Sequence, residues 1–350
     1  MDEESESEAQ ANPDDHITQS KKPEVIEIAF DRLMGPDSWP VERRLIVDRP
    51  TLVAAIEERN KRHPGEAKPL STGNAANFLK DFIRKPSCNP NWPSRLTDLR
   101  ITARQVYGNR QIFEFVPFAP GDELPFPDRF DPTPDLPIIR FEALSIPLEA
   151  RKLGRQDEPW LIQTAVSQRL IETHLAVRAS ECGLSVETLA HLQMSVKTQP
   201  EIDATFVASL LPLEDRRVRA YVTVEAKQIG ERILEHQIRE QIKVAFAFTA
   251  ALTGTDSIDA IIPIILKVVR NPGTTDPLEA RRQFIYVAQF HAIYRSDFDI
   301  QFRNALHDMP LSIQSAALYE PHPPIAGISA KPARPKNTAK PQKPRKILLE

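Results

Sequence analysis

Between residues 200 and 230 the chain alternates polar and apolar side chains with a period of two. Glu201, Asp203, Thr205 and Val207 interleave with Ile202, Ala204, Phe206 and Ala208, and Arg219, Tyr221, Thr223, Glu225 and Lys227 interleave with Val218, Ala220, Val222, Val224 and Ala226. This pattern predicts strands over 201–209 and 218–227, with each charged set on one face. Pro212-Leu213-Glu214-Asp215-Arg216 reads as the turn that makes them antiparallel neighbours. Glu225 and Lys227 then point the same way, and Asp203 sits beside Glu225. Apolar positions at helical spacing predict a helix over 158–181 (Leu161, Val166, Leu170, Leu175) and another over 231–251 (Leu234, Ile238, Ile242, Ala245, Phe248). Strands are predicted over 191–198 and 260–269, so the order is αβββαβ.

The first third of the chain reads differently. A helix is predicted from Pro50 to Arg62, and Ser71-Thr72-Gly73-Asn74 opens a second, whose apolar stripe is Ala75, Phe78, Leu79, Phe82 and Ile83. Its other face carries Asn74, Asn77, Lys80 and Arg84, side chains able to meet base edges and phosphates. A hairpin follows over 99–116, with Arg104 and Arg110 as candidate backbone contacts. Helix, helix and hairpin are similar to a winged helix-turn-helix; a helical domain with a merely wet polar face is the bland alternative. Trp92 reads as a core plug.

Composition sets the domain plan. The 350 residues include 32 prolines, several of them crowded between Pro117 and Pro137, a stretch that reads as a stiff connector. The expected plan is an acidic tail over 1–25, a mainly helical domain over 26–116, the connector over 117–137, a second domain over 138–322 and a basic, proline-rich tail over 323–350. Both tails are expected to be disordered. The net charge of -3 says little about DNA, because the acidic start and the basic end offset one another. Two cysteines exclude a disulfide framework or a cysteine zinc site. His174, His191 and His236 share no ligand spacing and read as structural or surface groups. No secretory signal or spanning segment is read, so the expectation is a cytoplasmic protein without a membrane partner.

Glu225-Ala226-Lys227 is one of two Glu-Ala-Lys tripeptides. The other, Glu66-Ala67-Lys68, lies between Pro64-Gly65 and Pro69, where loop chemistry forbids a continuous strand. Strand context and element order together make the second copy informative. Asp203 with Glu225-Ala226-Lys227 resembles the half-motifs of the PD-(D/E)XK superfamily of restriction-endonuclease-like nucleases, over roughly residues 155–295. Glu201-Ile202-Asp203 stands where the family has a Pro-Asp pair. The resemblance implies an α+β fold with a restriction-endonuclease-like αβββαβ core, here preceded by the winged-helix-like domain.

It also implies a Mg²⁺-dependent endonuclease that hydrolyses DNA phosphodiesters to leave 5′ phosphates, most like a type II restriction enzyme. Asp203, Glu225 and the Ala226 carbonyl would hold Mg²⁺, and Lys227 would orient or activate the water and stabilise the transition state. Glu201, Glu172 and Gln241 are candidate accessory residues. Double-stranded DNA is the expected partner, with a homodimer if the target is a palindrome and a cognate DNA methyltransferase acting separately. The rivals are a non-specific repair or recombination nuclease with the same site, and a DNA-binding protein that keeps the fold without turnover. A solvated sheet face with a cross-strand ion pair is the bland reading of the same residues.

Overall fold

A computed structural model describes residues 21–329 except 74, 76–77, 109, 179–180, 182–183, 212–216, 255–256 and 277–278. The chain divides into two compact units, Met1–Pro127 and Asp128–Glu350, and both mix helices with sheet, so the class is α+β.

In the first unit, α1 (Lys22–Met34) opens with Pro23 in its first turn and buries Val25, Ile26, Ala29 and Phe30. Residues 22–25 therefore belong to a packed helix, whereas the expectation placed them in a tail. β1 (Leu45–Asp48) leads straight into α2 (Arg49–Arg62), because Asp48 caps the helix by accepting the Thr51 N–H at 2.9 Å and Pro50 fits the first turn. The helix expected after Ser71 is one turn, α3 (Lys80–Ile83), yet Ala75, Phe78, Leu79, Phe82 and Ile83 are all buried as the stripe requires. After α4 (Ser94–Asp98), β2 (Ile101–Gln105) and β3 (Gln111–Pro117) form the expected hairpin. β1 joins it to give the order β1-β3-β2. Trp92 packs edge-on against Phe82 and Phe126, and its Nε1–H donates to the Ile101 carbonyl at 2.9 Å.

The proline-rich stretch 117–137 is more than a spacer. Phe118 and Phe126 are buried in the first unit, where the Asn89 amide exchanges two hydrogen bonds with the Phe126 main chain. Phe130 is buried in the second, edge-on to Phe290. Proline excludes regular structure here, but the aromatic residues between the prolines still have surface to bury.

The second unit is built on a mixed sheet in the order β4-β11-β9-β8-β7-β6-β5, formed by Ile138–Glu142, Ile313–His322, Gln283–Phe290, Ala260–Arg270, Val218–Lys227, Ile202–Leu211 and Ser185–Val196, with β10 (Ile293–Tyr294) paired to β8. β7 pairs parallel with β8, and β11 with β4; the other pairs are antiparallel. α5 (Leu148–Leu153), α6 (Glu158–Ser167) and α7 (Leu170–Val177) precede β5, and α8 (Glu235–Phe248) connects β7 to β8.

One apolar core gathers Leu161, Leu170 and Leu175 of α6 and α7 with Phe206, Val222 and Ile264; another gathers Ile238, Ile242 and Phe246 of α8 with Tyr221, Ile265 and Phe284. β8, apolar on both faces apart from the ion-paired Lys267, is buried throughout except Arg270, as a strand sandwiched between helices must be. Pro263 is tolerated in it because β9 pairing begins at Ile264 and β10 pairing stops at Ile261. The helix expected over 158–181 is broken by Arg169 in the left-handed region (φ 53°, ψ 41°). His174 is fully buried, with its ring nitrogens 3.2 Å from the Tyr319 hydroxyl and 2.9 Å from Ser315 Oγ. Burial pushes its pKa down to about 4, so it is a neutral structural group.

Residues 323–329, expected to begin the basic tail, are part of the fold: Ile325 and Ile328 are fully buried. Residues 1–20 and 330–350 of the tails lie outside the described residues. Among the described residues no helix is long and apolar enough to cross a membrane.

Candidate active site

The β6–β7 register runs from Leu210 opposite Val218 to Ala204 opposite Val224, which sets Asp203 opposite Glu225 on the face that α8 covers. Asp203 Oδ2 accepts the Ala226 N–H at 2.8 Å. Lys227 Nζ forms an ion pair with Glu225 Oε1 and donates to the Ala226 carbonyl at 2.8 Å. The structure thus brings Asp203, Glu225, Ala226 and Lys227 together at the end of two central strands.

Two amides from α8 complete the surroundings of Glu225, which is 1% exposed. Gln237 donates to Oε1 at 2.6 Å, and Gln241 to Oε2 at 2.5 Å and to the Glu201 carbonyl at 2.8 Å. They lie one helical turn apart and so share a face. Gln241, an accessory residue by expectation, is buried and bonded to the central carboxylate.

Glu158 was not expected from the sequence. Asp157 caps α6 by accepting the Trp160 N–H at 3.0 Å, and Glu158, the next residue, accepts from Lys227 Nζ at 3.2 Å. The Gln228 side chain ties the same turn to β7 by donating to the Asp157 carbonyl at 2.7 Å. Asp-Glu-Pro is a helix-start signature, but which residue of that turn reaches Lys227 depends on how α6 meets the sheet.

Two accessory candidates lie elsewhere. The Glu201 carboxylate turns to Ser195 and to Lys197 Nζ, 2.5 Å away, because Glu201 precedes β6 and escapes its alternation. Glu172 is half-buried in the first turn of α7, whereas Glu158 of α6 is the helical carboxylate that meets Lys227.

The electrostatics follow from burying several carboxylates around one ammonium. Burial, and then Glu225, push the Asp203 pKa up to about 8 against the partial opposition of Lys227 and the Ala226 N–H. Burial also raises that of Glu158, again against Lys227. Burial by itself would lower the Lys227 pKa, but Glu225, Glu158 and Asp203 outweigh it and the value is raised. Lys227 is therefore a permanent cation at neutral pH.

Carboxyl groups outnumber the ammonium here, and the donors are hard oxygens, so the chemistry of the set suits a divalent cation once Asp203 gives up its proton. Among the described residues no three His, Cys, Asp or Glu side chains are grouped to hold a metal. The set on offer is two carboxylates and one main-chain carbonyl, and Lys227 now contacts two of those three ligands.

The expected DNA-contacting residues are scattered. Asn74 and Asn77 lie outside the described residues. Lys80 and Arg84 line a cavity of about 430 Å³ with Lys22, Asp81, Ser71 and Phe78. Arg104 is committed to its own sheet, donating twice to Glu114 Oε2 at 3.1 and 2.9 Å, with Arg44 on the same carboxylate. A buried glutamate needs such partners, so Arg104 does not serve as a free phosphate contact. Arg110 is exposed at the hairpin end with φ 61°.

No protein-family model, no curated protein and no solved structure matches this chain.

Proposed function

We propose that the chain is a cytoplasmic Mg²⁺-dependent DNA endonuclease of the PD-(D/E)XK kind, most like a type II restriction enzyme. The observation that carries this reading is the convergence of Asp203, Glu225 and Lys227 in one cluster of carboxylates around a single ammonium. Helix, three antiparallel strands, helix and parallel strand in sequence order add support. Asp203, Glu225 and the Ala226 carbonyl would hold Mg²⁺, which when bound supplies charge stabilisation at the phosphate oxygens.

Lys227 has the part that remains. Its raised pKa forbids it to take a proton from water near neutral pH, so it orients water and offsets charge developing on the phosphate. Gln237 and Gln241 each donate to one Glu225 oxygen and so hold that carboxylate in place. In the first unit, Lys22, Lys80 and Arg84 around one cavity, with Arg110 on the hairpin, support a DNA-reading module of winged-helix type. A homodimer follows if the target is a palindrome, and a methyltransferase would act separately.

One observation favours a second reading, a DNA-binding protein without turnover. Both Glu225 oxygens are already occupied by Gln237, Gln241 and Lys227, so little lone-pair capacity is left for a metal. Plasmid DNA incubated with Mg²⁺ and the wild type, Asp203→Ala or Lys227→Ala separates the two. Discrete fragments absent with both variants support the restriction enzyme; a smear absent with both supports a non-specific repair nuclease. Intact plasmid accompanied by a gel shift supports the binding protein and overturns the nuclease.

A further inference from the structure

α5 buries none of its residues, and its Leu148 and Leu153 face solvent, Leu153 with 78% of its surface exposed. An amphipathic helix of this length gains its stability from a covered apolar face, and in α5 only the half-buried Ala150 meets the core. Next to it is a groove of about 310 Å³, walled by Ala150, Leu153, Pro159 and Trp160 with Arg155 and Asp157 at its rim. That volume is at the low end of the ~300–1,000 Å³ typical of sites that bury an apolar ligand.

The same corner is where the described chain ends. The Ala326 N–H donates to the Arg151 carbonyl at 2.7 Å, and Trp160 Nε1–H donates to the Ala326 carbonyl at 3.0 Å. Two glycines let the backbones touch: a Cβ on Gly154 would collide with the Ala326 carbonyl and the Trp160 indole, and one on Gly327 (φ 84°) with the Arg155 carbonyl. Ser329, the last of the described residues, thus lies beside the groove. The following stretch, 330–346, contains no aliphatic or aromatic side chain larger than alanine apart from its prolines, and carries Lys340, Lys343, Arg345 and Lys346; then come Ile347-Leu348-Leu349.

We propose that Ile347-Leu348-Leu349 docks in the α5–α6 groove of its own chain. The apolar triplet is otherwise unexplained in so polar a segment, and the groove is the apolar surface next to its root. Residues 330–346 put seventeen residues between Ser329 and the triplet, a contour of up to about 3.3–3.6 Å per residue that is ample to reach a groove beside Ser329. A short tether also holds its end at an effective concentration of order mM, which makes a modest apolar contact sufficient. Arg345 and Lys346 would then lie near the groove-lining Asp157. They would also approach the first turn of α6, where Glu158 holds Lys227. The docking does not rest on the nuclease reading.

Hydrogen exchange of the Leu148–Leu153 amides tests this in the full chain, in a chain ending at Ser329 and in the full-length Leu348→Asp variant, with thermal unfolding showing that each is folded. The full chain is expected to exchange about tenfold more slowly across α5 than the other two, at a rate unchanged by dilution. A synthetic peptide of residues 340–350 added to the truncated chain restores the protection. Equal rates in all three proteins overturn the proposal. Protection that disappears on dilution also overturns it, because the occupant is then the tail of a second copy.

Discussion

Asp203→Asn separates charge from shape at the β6–β7 cluster. Asp203 lies opposite Glu225, accepts the Ala226 N–H at 2.8 Å, and has its pKa pushed from 3.8 up to about 8 by burial and then by Glu225. Since the folded value lies above the unfolded one, the native state keeps a proton that the unfolded chain releases between about pH 4 and pH 8. This contribution to stability is fully present below that window, is lost as pH rises through it, and is absent above it. One proton per molecule limits the slope to about 1.4 kcal/mol per pH unit.

Asparagine keeps the carbonyl acceptor and the size of the neutral acid but does not titrate, so the variant should lack this slope. Coupling to Glu225 and Lys227 spreads the transition, and a slope difference of about 0.7 kcal/mol per unit is the outcome to look for. The assay is urea unfolding of both proteins from about pH 5 to pH 8 without divalent cations, comparing midpoints at equal m-values. If Asp203 holds Mg²⁺ as proposed, the same proton competes with the metal. Below pH 8 the affinity of the wild type for Mg²⁺ should rise by up to about tenfold per unit, read as added stability, with no such response in the variant. Parallel stability curves for the two proteins would refute the buried-pair argument.

Three further outcomes follow from the contacts. Gln241→Leu removes the donor to Glu225 Oε2 and to the Glu201 carbonyl, and should cost about 2–3 kcal/mol in urea unfolding. Adding Glu225→Gln should recover part of that loss, and strict additivity would show that the pair is not coupled. Gly154→Ala forces a methyl group into the Ala326 carbonyl and the Trp160 ring, and should destabilise by about 1–3 kcal/mol in thermal unfolding; an unchanged transition would rule out the interlock. Lys80→Ala should weaken DNA binding and lower the slope of log K against log salt by about 1, measured by fluorescence anisotropy; an unaltered slope would remove Lys80 from the interface.

Local pattern carries a definite part of this protein. Alternation over 202–211 and 218–227 reports which side chains share a face, because a pleated strand has a period of two whatever it packs against. Asp203, Glu225 and Lys227 were legible as neighbours for that reason. The buried stripe of Ala75, Phe78, Leu79, Phe82 and Ile83 was equally legible, and among the described residues its helical part is α3.

Contacts between distant segments were not legible. Glu158 meets Lys227 only because α6 docks beside the end of β7, and Arg44 reaches Glu114 only because β1 joins the hairpin. Residues 323–329 read as tail because they are rich in proline, but Ile325 and Ile328 found a core to enter. By itself, then, the amino-acid order determined periodicity, turn chemistry and the inventory of charged groups, all of which depend on near neighbours along the chain. Tertiary packing alone decided which carboxylates share one ammonium and how far their protons are held, because burial and Coulomb interaction depend on distance in space.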